Sequence, residues 1–340
     1  MKTSDFYYNL PEELIAQSPI EPRDSSRLLV YDRKTEKIEH KHFYDIVDYL
    51  TENDVLVVNN TKVIPARTYG FLETTGAKVE FLLHKRVNLT DWKVLCKPAK
   101  KAKLGAKFFF SERLACEIIG LGEMGERTVR FIFDGVFEDL LSEVGQTPLP
   151  PYIREKLKDG ERYQTVYASI SGSCAAPTAG LHFTPELMDK LRNKGVKIIE
   201  VLLHVGLGTF RPVQVDKLEE HKMHSEYWQI TEDSAEALNE AILAKKRVIC
   251  VGTTSVRVLE SAVGEDGLFK SGSGDTSIFI YPPYKFKAVN ALITNFHLPS
   301  STLIMLVSAL CGREQTLAVY EEAVKQRYRF FSFGDACFFI

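Results

Sequence analysis

The chain has 340 residues, with 43 Lys plus Arg against 45 Asp plus Glu, a formal net charge of -2, and 45% hydrophobic and 11% aromatic residues. That length suits two domains, and the composition excludes a disordered tail, a collagen-like fibre and a small disulfide scaffold. The charge balance excludes coating of nucleic acid by bulk charge, although a local basic patch on a neutral body would escape this test.

Met1 to Leu10 lacks the apolar run of a signal peptide, so no secretion is expected. Asp54 to Val58 reads as a buried strand. Between about Thr61 and Pro148 lie short β-rich segments, Lys78 to His84, Trp92 to Lys97, Lys107 to Phe110, Leu114 to Gly120 and Thr128 to Asp134, a rhythm that suits a small antiparallel barrel or sandwich. Gly120-Leu-Gly-Glu-Met-Gly125 matches G-x-G-x-x-G, but it leads into a strand pattern where a dinucleotide fingerprint must open a helix, so it reads as a hairpin turn. After Pro148 strand and helix alternate. Thr184-Pro185 opens a helix that Gly195 stops, and strand Val196 to Val205 follows. Next come a helix from about Glu232 to Lys246, strand Arg247 to Val251, a helix opening at Thr254 or Ser255, and strand Ala288 to Ile293. The loop Ser271-Gly-Ser-Gly-Asp275 is the one low-complexity stretch. The apolar Thr302 to Cys311 helix is far short of the roughly 20 residues that span a bilayer, and another helix to about Gln326 precedes a final strand from Tyr328.

This pattern predicts an α/β fold class: a discontinuous α/β domain with a largely parallel sheet, residues 1–60 and 148–340, plus an inserted small antiparallel β-barrel domain, residues 61–147. Six cysteines with no C-x-x-C pair predict free thiols in a reducing cytosol, hence a cytoplasmic protein, and the shortness of the Thr302 to Cys311 stretch predicts no membrane segment. We expect a monomer.

Ligands of open α/β sheets sit beyond the carboxyl ends of the strands. The predicted strands deliver Asn59-Asn60-Thr61, His204-Val-Gly206-Leu-Gly208-Thr209, Gly252-Thr253-Thr254-Ser255 and Thr294-Asn295-Phe296-His297 there. Glycine permits close backbone approach, and Thr, Asn and His offer uncharged hydrogen bonds. The Gly252 turn also opens a helix, whose amides suit a carboxylate or phosphate. A fifth group, Ala175 to Thr184, brings Thr178, Gly180, His182 and Phe183, and His182 is placed to exchange a proton near neutral pH. Any one such turn is as well explained by helix capping; their coincidence on one face carries the site reading.

Lys97, Lys100, Lys101, Lys103 and Lys107 form a basic run in the insert, either a solvated face or a track for a phosphate backbone. Arg23, Arg27, Arg67 and Arg154 sit near domain junctions, where forked donors suit an anion, with surface ion pairing as the plainer account. His221-Lys-Met-His224, flanked by acids, reads as a loop rather than a metal site, and no metal is expected.

Together the motifs resemble the S-adenosylmethionine:tRNA ribosyltransferase-isomerases of queuosine biosynthesis. The matching segments include Arg23-Asp24-Ser-Ser-Arg27-Leu-Leu29, Val57 to Arg67, Pro148-Leu-Pro-Pro-Tyr-Ile153, Arg162 to Ala168, Ala175 to Thr184, Leu203 to Phe210, Glu220 to Glu226, Val251 to Ser261 and Thr294 to Pro299. Pro282-Pro283-Tyr284 departs from the family's usual Pro-Gly-Tyr.

The resemblance implies transfer and isomerisation of the ribosyl group of S-adenosylmethionine onto the aminomethyl group of a 7-deazaguanine at the tRNA wobble position. The product is epoxyqueuosine-tRNA, and adenine and methionine leave. It implies no cofactor, with S-adenosylmethionine as a substrate, because the sulfonium acidifies the adjacent ribose carbon. His182 is the first expected acid/base, with His204 and His297 as alternatives. Arg23, Asp24, Arg27, Asn60, Arg67, Thr178, Gly180, Phe183, Gly206, Gly208, Thr209, Thr253, Thr254 and Asn295 are the expected substrate contacts. Thr253 and Thr254 would hold a methionine carboxylate or a tRNA phosphate, and Asn60 and Asn295 ribose hydroxyls. Phe183, Phe210 and Phe296 would face the sulfonium. Lys100, Lys101 and Lys103 are the expected tRNA contacts. Two other readings stay open: an RNA-binding protein, and an α/β enzyme acting on a free nucleotide.

Overall fold

The computed structural model describes residues 1–155, 157, 159–206 and 213–340. In chain order its strands begin with β1 (Arg27–Asp32), β2 (Lys37–His42), β3 (Asp54–Asn59), β4 (Thr61–Val63), β5 (Arg67–Leu72), β6 (Lys78–Arg86) and β7 (Asp91–Lys97). Next come β8 (Lys107–Ser111), β9 (Leu114–Leu121), β10 (Glu126–Phe133), helix α1 (Phe137–Val144), β11 (Ile170–Ser173), α2 (Pro185–Asn193) and β12 (Lys197–Leu203). They are followed by β13 (Glu226–Ile230), α3 (Glu232–Leu243), β14 (Arg247–Val251), α4 (Gly252–Ala262) and β15 (Gly272–Thr276). The chain closes with β16 (Ala291–Asn295), α5 (Thr302–Cys311), α6 (Arg313–Lys325) and β17 (Ala336–Phe339).

Two compact units form, one from Met1–Lys62, Pro151–Ile170 and Ala176–Ile340, the other from Val63–Pro150 and Ser171–Ala175. The short return of Ser171–Ala175 into the second unit is not visible in the sequence. It rests on long-range bonds, Ile64 N–H to Ser173 O at 3.0 Å and Cys174 Sγ to Leu83 O at 2.9 Å.

The first unit is built on a nine-stranded sheet in the order β15-β13-β12-β3-β14-β16-β17-β1-β2. Its centre, β12-β3-β14-β16, is parallel, and β1 pairs parallel with β17, while the pairs β12–β13, β13–β15, β16–β17 and β1–β2 are antiparallel, so the sheet is mixed. All six residues of β3 are buried, as expected of a strand covered on both faces. Leu28, Leu56, Val58, Ile249, Ile293 and Phe338 pack against Phe43, Phe183, Leu187 and Leu191 in one core. Thr184 Oγ1 accepts from Leu187 N–H at 3.1 Å, Pro185 occupies the first turn where no donor is needed, and Gly195 at φ +87° leaves the helix.

Several expectations shift. The Ser-Gly-rich loop is strand β15, paired from Ile230↔Gly272 to Glu226↔Thr276. The last strand starts at Ala336, not Tyr328, and β16 runs Ala291–Asn295. Strands β1 and β2, which the sequence pattern does not announce, form one sheet edge.

The second unit is a closed antiparallel barrel, β10-β7-β6-β5-β8-β9. Val79, Phe81, Leu83, Val94, Phe108, Cys116, Ile118 and Val129 fill it, all fully buried. Gly120–Gly125 lies at the β9–β10 hairpin, in keeping with a turn rather than a dinucleotide fingerprint. Among the described residues no single helix is long and apolar enough to cross a membrane, and α5 and α6 meet at a 115° bend.

Candidate active site

The carboxyl ends of β12, β3, β14 and β16 lie side by side in the first unit, and two polar clusters form there. The first is a closed network. Asn295 Nδ2 donates to Phe331 O at 3.1 Å, which fixes the amide orientation, and it also meets His182 Nε2 at 3.1 Å. That nitrogen must therefore accept, and the ring proton sits on Nδ1, 2.7 Å from Ser26 Oγ. Thr178 Oγ1 donates to Asn295 Oδ1 at 3.2 Å. Phe43 stacks on the imidazole at 4.9 Å. His182 is 4% exposed, and burial pushes its pKa down to about 3, assisted by the positive charges of Arg162 and Arg329. It is a neutral ring with both nitrogens engaged inside the fold.

The second cluster is open. Asn59 Oδ1 accepts from Leu203 N–H at 3.0 Å, and Asn59 Nδ2 donates to Leu203 O at 3.0 Å, clamping the ends of β3 and β12 together. The clamp sets His204 beside Thr61, with Nδ1 to Oγ1 at 2.8 Å, and the ring stacks on Tyr227 at 5.9 Å. His204 is only partly buried, and its Nε2 has no hydrogen-bond partner among the described residues. Burial lowers its pKa from the ordinary 6.5, so it is neutral at pH 7 and able to take a proton.

The same unit also holds buried polar atoms with no hydrogen-bond partner among the described residues, among them Asn60 Oδ1, Thr254 Oγ1, Tyr167 Oη, and Nε and Nη2 of Arg257. Natural proteins leave few such atoms, and each calls for an explanation. Asn60 Nδ2 is held by Glu200 Oε2 at 2.9 Å. Gly206 N–H donates to Glu226 Oε1 at 2.7 Å, and the other Glu226 oxygen pairs with Arg257 Nη1. Helix α4 opens at Gly252, φ +81°, and its N-cap Val251 supplies no side-chain cap, unlike Thr184, Thr231 and Ser301 at α2, α3 and α5. Its first turn therefore lacks the side-chain acceptor that those helices carry at the N-cap. Gly180 sits tightly under Tyr167: a Cβ there would lie 2.0 Å from its hydroxyl.

Other expected contacts are tied into the fold. Arg23 donates to the carbonyls of Gln164 at 2.6 Å and Glu161 at 3.3 Å, and Arg27 donates to Gln326 O at 2.8 Å while its guanidinium lies 3.7 Å over the Tyr328 ring. Asp24 meets Thr184 Oγ1 at 3.5 Å, and Thr253 is buried in the first turn of α4. His297 is a core residue, bonded to Thr294 Oγ1 at 2.9 Å and pushed down to a pKa of about 3 by burial. Phe183 and Phe296 are fully buried in aromatic clusters, and so have no face for a sulfonium. Arg67 pairs with Glu80 at 3.2 Å within the barrel unit, and Arg154 pairs with Glu12 at 2.7 Å. Gly208, Thr209 and Phe210 lie outside the described residues. Lys100, Lys101 and Lys103 are all exposed on the barrel unit. Arg127 holds that loop through Ala102 O at 2.7 Å and Ala99 O at 3.0 Å. Among the described residues no group of three or more His, Cys, Asp or Glu could hold a metal ion.

Sequence reasoning placed Asn59 at the site edge without its clamping role, and missed Glu226, Arg257 and Tyr167 as site-building residues. Only Arg257 carries a local signal, a charge set among Val256, Val258 and Leu259 on a buried helix.

A family model described as "Queuosine biosynthesis protein" matches residues 3–339. The chain is 60% identical over 339 residues to the S-adenosylmethionine:tRNA ribosyltransferase-isomerase of Acetivibrio thermocellus, covering 99% of each chain. It is 58% identical over 337 residues to the protein of the same name from Clostridioides difficile, again covering 99% of each. A crystal structure of the S-adenosylmethionine tRNA ribosyltransferase of Thermotoga maritima aligns over 99% of this chain and 100% of that one, with 41% identity and a TM-score of 0.58. With a match this complete at both levels, the chain belongs to the queuosine biosynthesis family of S-adenosylmethionine:tRNA ribosyltransferase-isomerases.

Proposed function

We infer that this chain transfers and isomerises the ribosyl group of S-adenosylmethionine onto 7-aminomethyl-7-deazaguanine at the wobble position of tRNA, giving epoxyqueuosine-tRNA with release of adenine and methionine. The observation that carries the reading is the full-length match to relatives of that name. The site chemistry supports it. The sulfonium acidifies the neighbouring ribose carbon and the aminomethyl group supplies the nucleophile, so the protein must supply a base, a proton for adenine and hydrogen bonds to the ribose. An uncharged histidine among Asn and Thr side chains meets that need.

Of the three histidines, His204 suits the acid/base role best, because one nitrogen is steadied by Thr61 and the other is open. His182 is a positioning residue that orders Asn295 and the Thr178 turn. Asn60 and Thr254 offer their unpartnered oxygens to substrate. The donor is consumed, so the reaction draws on no further cofactor. We take the enzyme to act as a monomer in the cytoplasm; its six free cysteines support the compartment.

The test is adenine release from S-adenosylmethionine in the presence of tRNA carrying the aminomethyl-deazaguanine. Adenine is expected in proportion to modified tRNA; no adenine would overturn the reading, and equal release with the free base would favour a free-nucleotide enzyme. The lysine run has its own test. Replacing Lys100, Lys101 and Lys103 with alanine should weaken tRNA binding, and the slope of log affinity against log salt should flatten by about one for each phosphate no longer neutralised. S-adenosylmethionine binding should stay unchanged. An unaltered salt slope would remove these lysines from the tRNA surface.

A further inference from the structure

Arg257 is 6% exposed, and its five donors are unequally used. Nη1 pairs with Glu226, while Nε and Nη2 have no partner among the described residues. Those two nitrogens form one edge of the guanidinium, a fork matched to two oxygens of a carboxylate or phosphate. The same chain shows what that edge binds when it is filled. Arg247 sends Nε and Nη2 to the two oxygens of Asp54 at 2.7 and 3.1 Å, and Arg130 does the same to Asp91 at 2.8 and 2.9 Å. At Arg257 the same edge is buried with no partner among the described residues, and a buried unpaired cationic edge is costly.

Its surroundings suit a small anion. Thr254, three residues earlier on the same face of α4, holds a buried hydroxyl without a partner among the described residues. A helical side chain leans toward its helix N-terminus, which brings the Arg257 head toward the uncapped first turn and the carboxyl edge of the sheet. Glu226 fixes the guanidinium and, through Gly206 N–H, ties it to the turn that follows His204. A fork this deeply buried is matched to a ligand end that can enter the protein, not to a backbone phosphate of folded RNA.

We propose that the Nε/Nη2 edge of Arg257, together with Thr254 Oγ1, binds the α-carboxylate of the methionyl group of S-adenosylmethionine and thereby sets the sulfonium and ribose against His204. The assignment rests on the ribosyl-transfer reading above.

The experiment compares S-adenosylmethionine with its decarboxylated analogue, which keeps the sulfonium, ribose and adenine. The full chain is used with modified tRNA, and adenine release is measured. The wild-type protein should show a KM about 10-fold or more lower for S-adenosylmethionine. Arg257→Lys, which keeps the charge and loses the fork, should erase most of that preference, with kcat changed far less than KM. A preference retained in Arg257→Lys overturns the proposal. So does a rise in the KM for tRNA with the preference intact, which would make the anion a phosphate. Should Arg257→Lys fail to fold, Thr254→Val must narrow the preference, and calorimetry on the wild-type protein must show weaker binding of the decarboxylated analogue; equal affinities overturn the proposal. Absence of adenine from the wild-type protein would instead overturn the transfer reading itself.

Discussion

Replacing His204 with glutamine should lower the turnover number about 100-fold or more, the ordinary worth of a positioned acid/base, and leave the KM for S-adenosylmethionine little changed. The expectation follows from how the ring is held. Thr61 Oγ1 can donate to Nδ1, which leaves a proton on Nε2, or accept from it, which leaves a lone pair there. Both states of one cycle are therefore supported by a single neighbour. The pH dependence separates this role from a structural one. Burial lowers the ring's pKa below 6.5, so the base form prevails at pH 7 and the acid limb of kcat/KM falls below pH 6.5. The limb should vanish in His204→Gln and survive in His182→Gln, whose ring has no open nitrogen in the wild-type fold. Wild-type turnover in His204→Gln would overturn the assignment.

The sequence makes legible those parts of the fold whose residues announce their own environment. Strand β3 is buried on both faces and reads as a continuous apolar run, and Thr184-Pro185 marks the start of α2 by local chemistry alone. Strand β15 is hidden because Gly272 to Thr276 pairs by backbone at a sheet edge and has no apolar side chain to pattern. Strand β5 is hidden by Gly70, which is there for room: a Cβ would lie 2.9 Å from the Phe81 ring. The site follows the same division. Its turns are legible because glycine, threonine and asparagine gather after each strand. Which histidine is open is not, because His182, His204 and His297 occupy similar turns and only their tertiary partners distinguish them. Arg23 attracts attention as a fork, yet its donors go to the carbonyls of Glu161 and Gln164. Arg257 passes unnoticed because its partner Glu226 is 31 positions away.

The two closed histidines give the molecule a second, independent pH dependence. Lowering the pH from 7 to 5 should destabilise the fold by about 4 kcal/mol through His182 and His297 alone. Each has a folded pKa of about 3 set chiefly by burial, against an ordinary 6.5 in the unfolded chain. Above pH 6.5 both states are neutral and stability is full. As the pH falls below 6.5 only the unfolded chain takes up the protons, so stability drops by about 1.4 kcal/mol per unit for each ring, down to about pH 3. At pH 5 that is about 2 kcal/mol per histidine, a large share of the roughly 5–15 kcal/mol that holds a domain together. Urea midpoints at pH 7, 6 and 5 measure the slope, and His182→Gln should remove about half of it by deleting one titrating group from both states. If that variant is too unstable to assay, proton uptake on unfolding the wild-type protein at pH 5 should still reach about two per chain from these rings. A midpoint that does not move between pH 6.5 and 5 would mean that these rings are not held neutral, and the closed network around His182 would have to be redrawn with an exposed or charged imidazole.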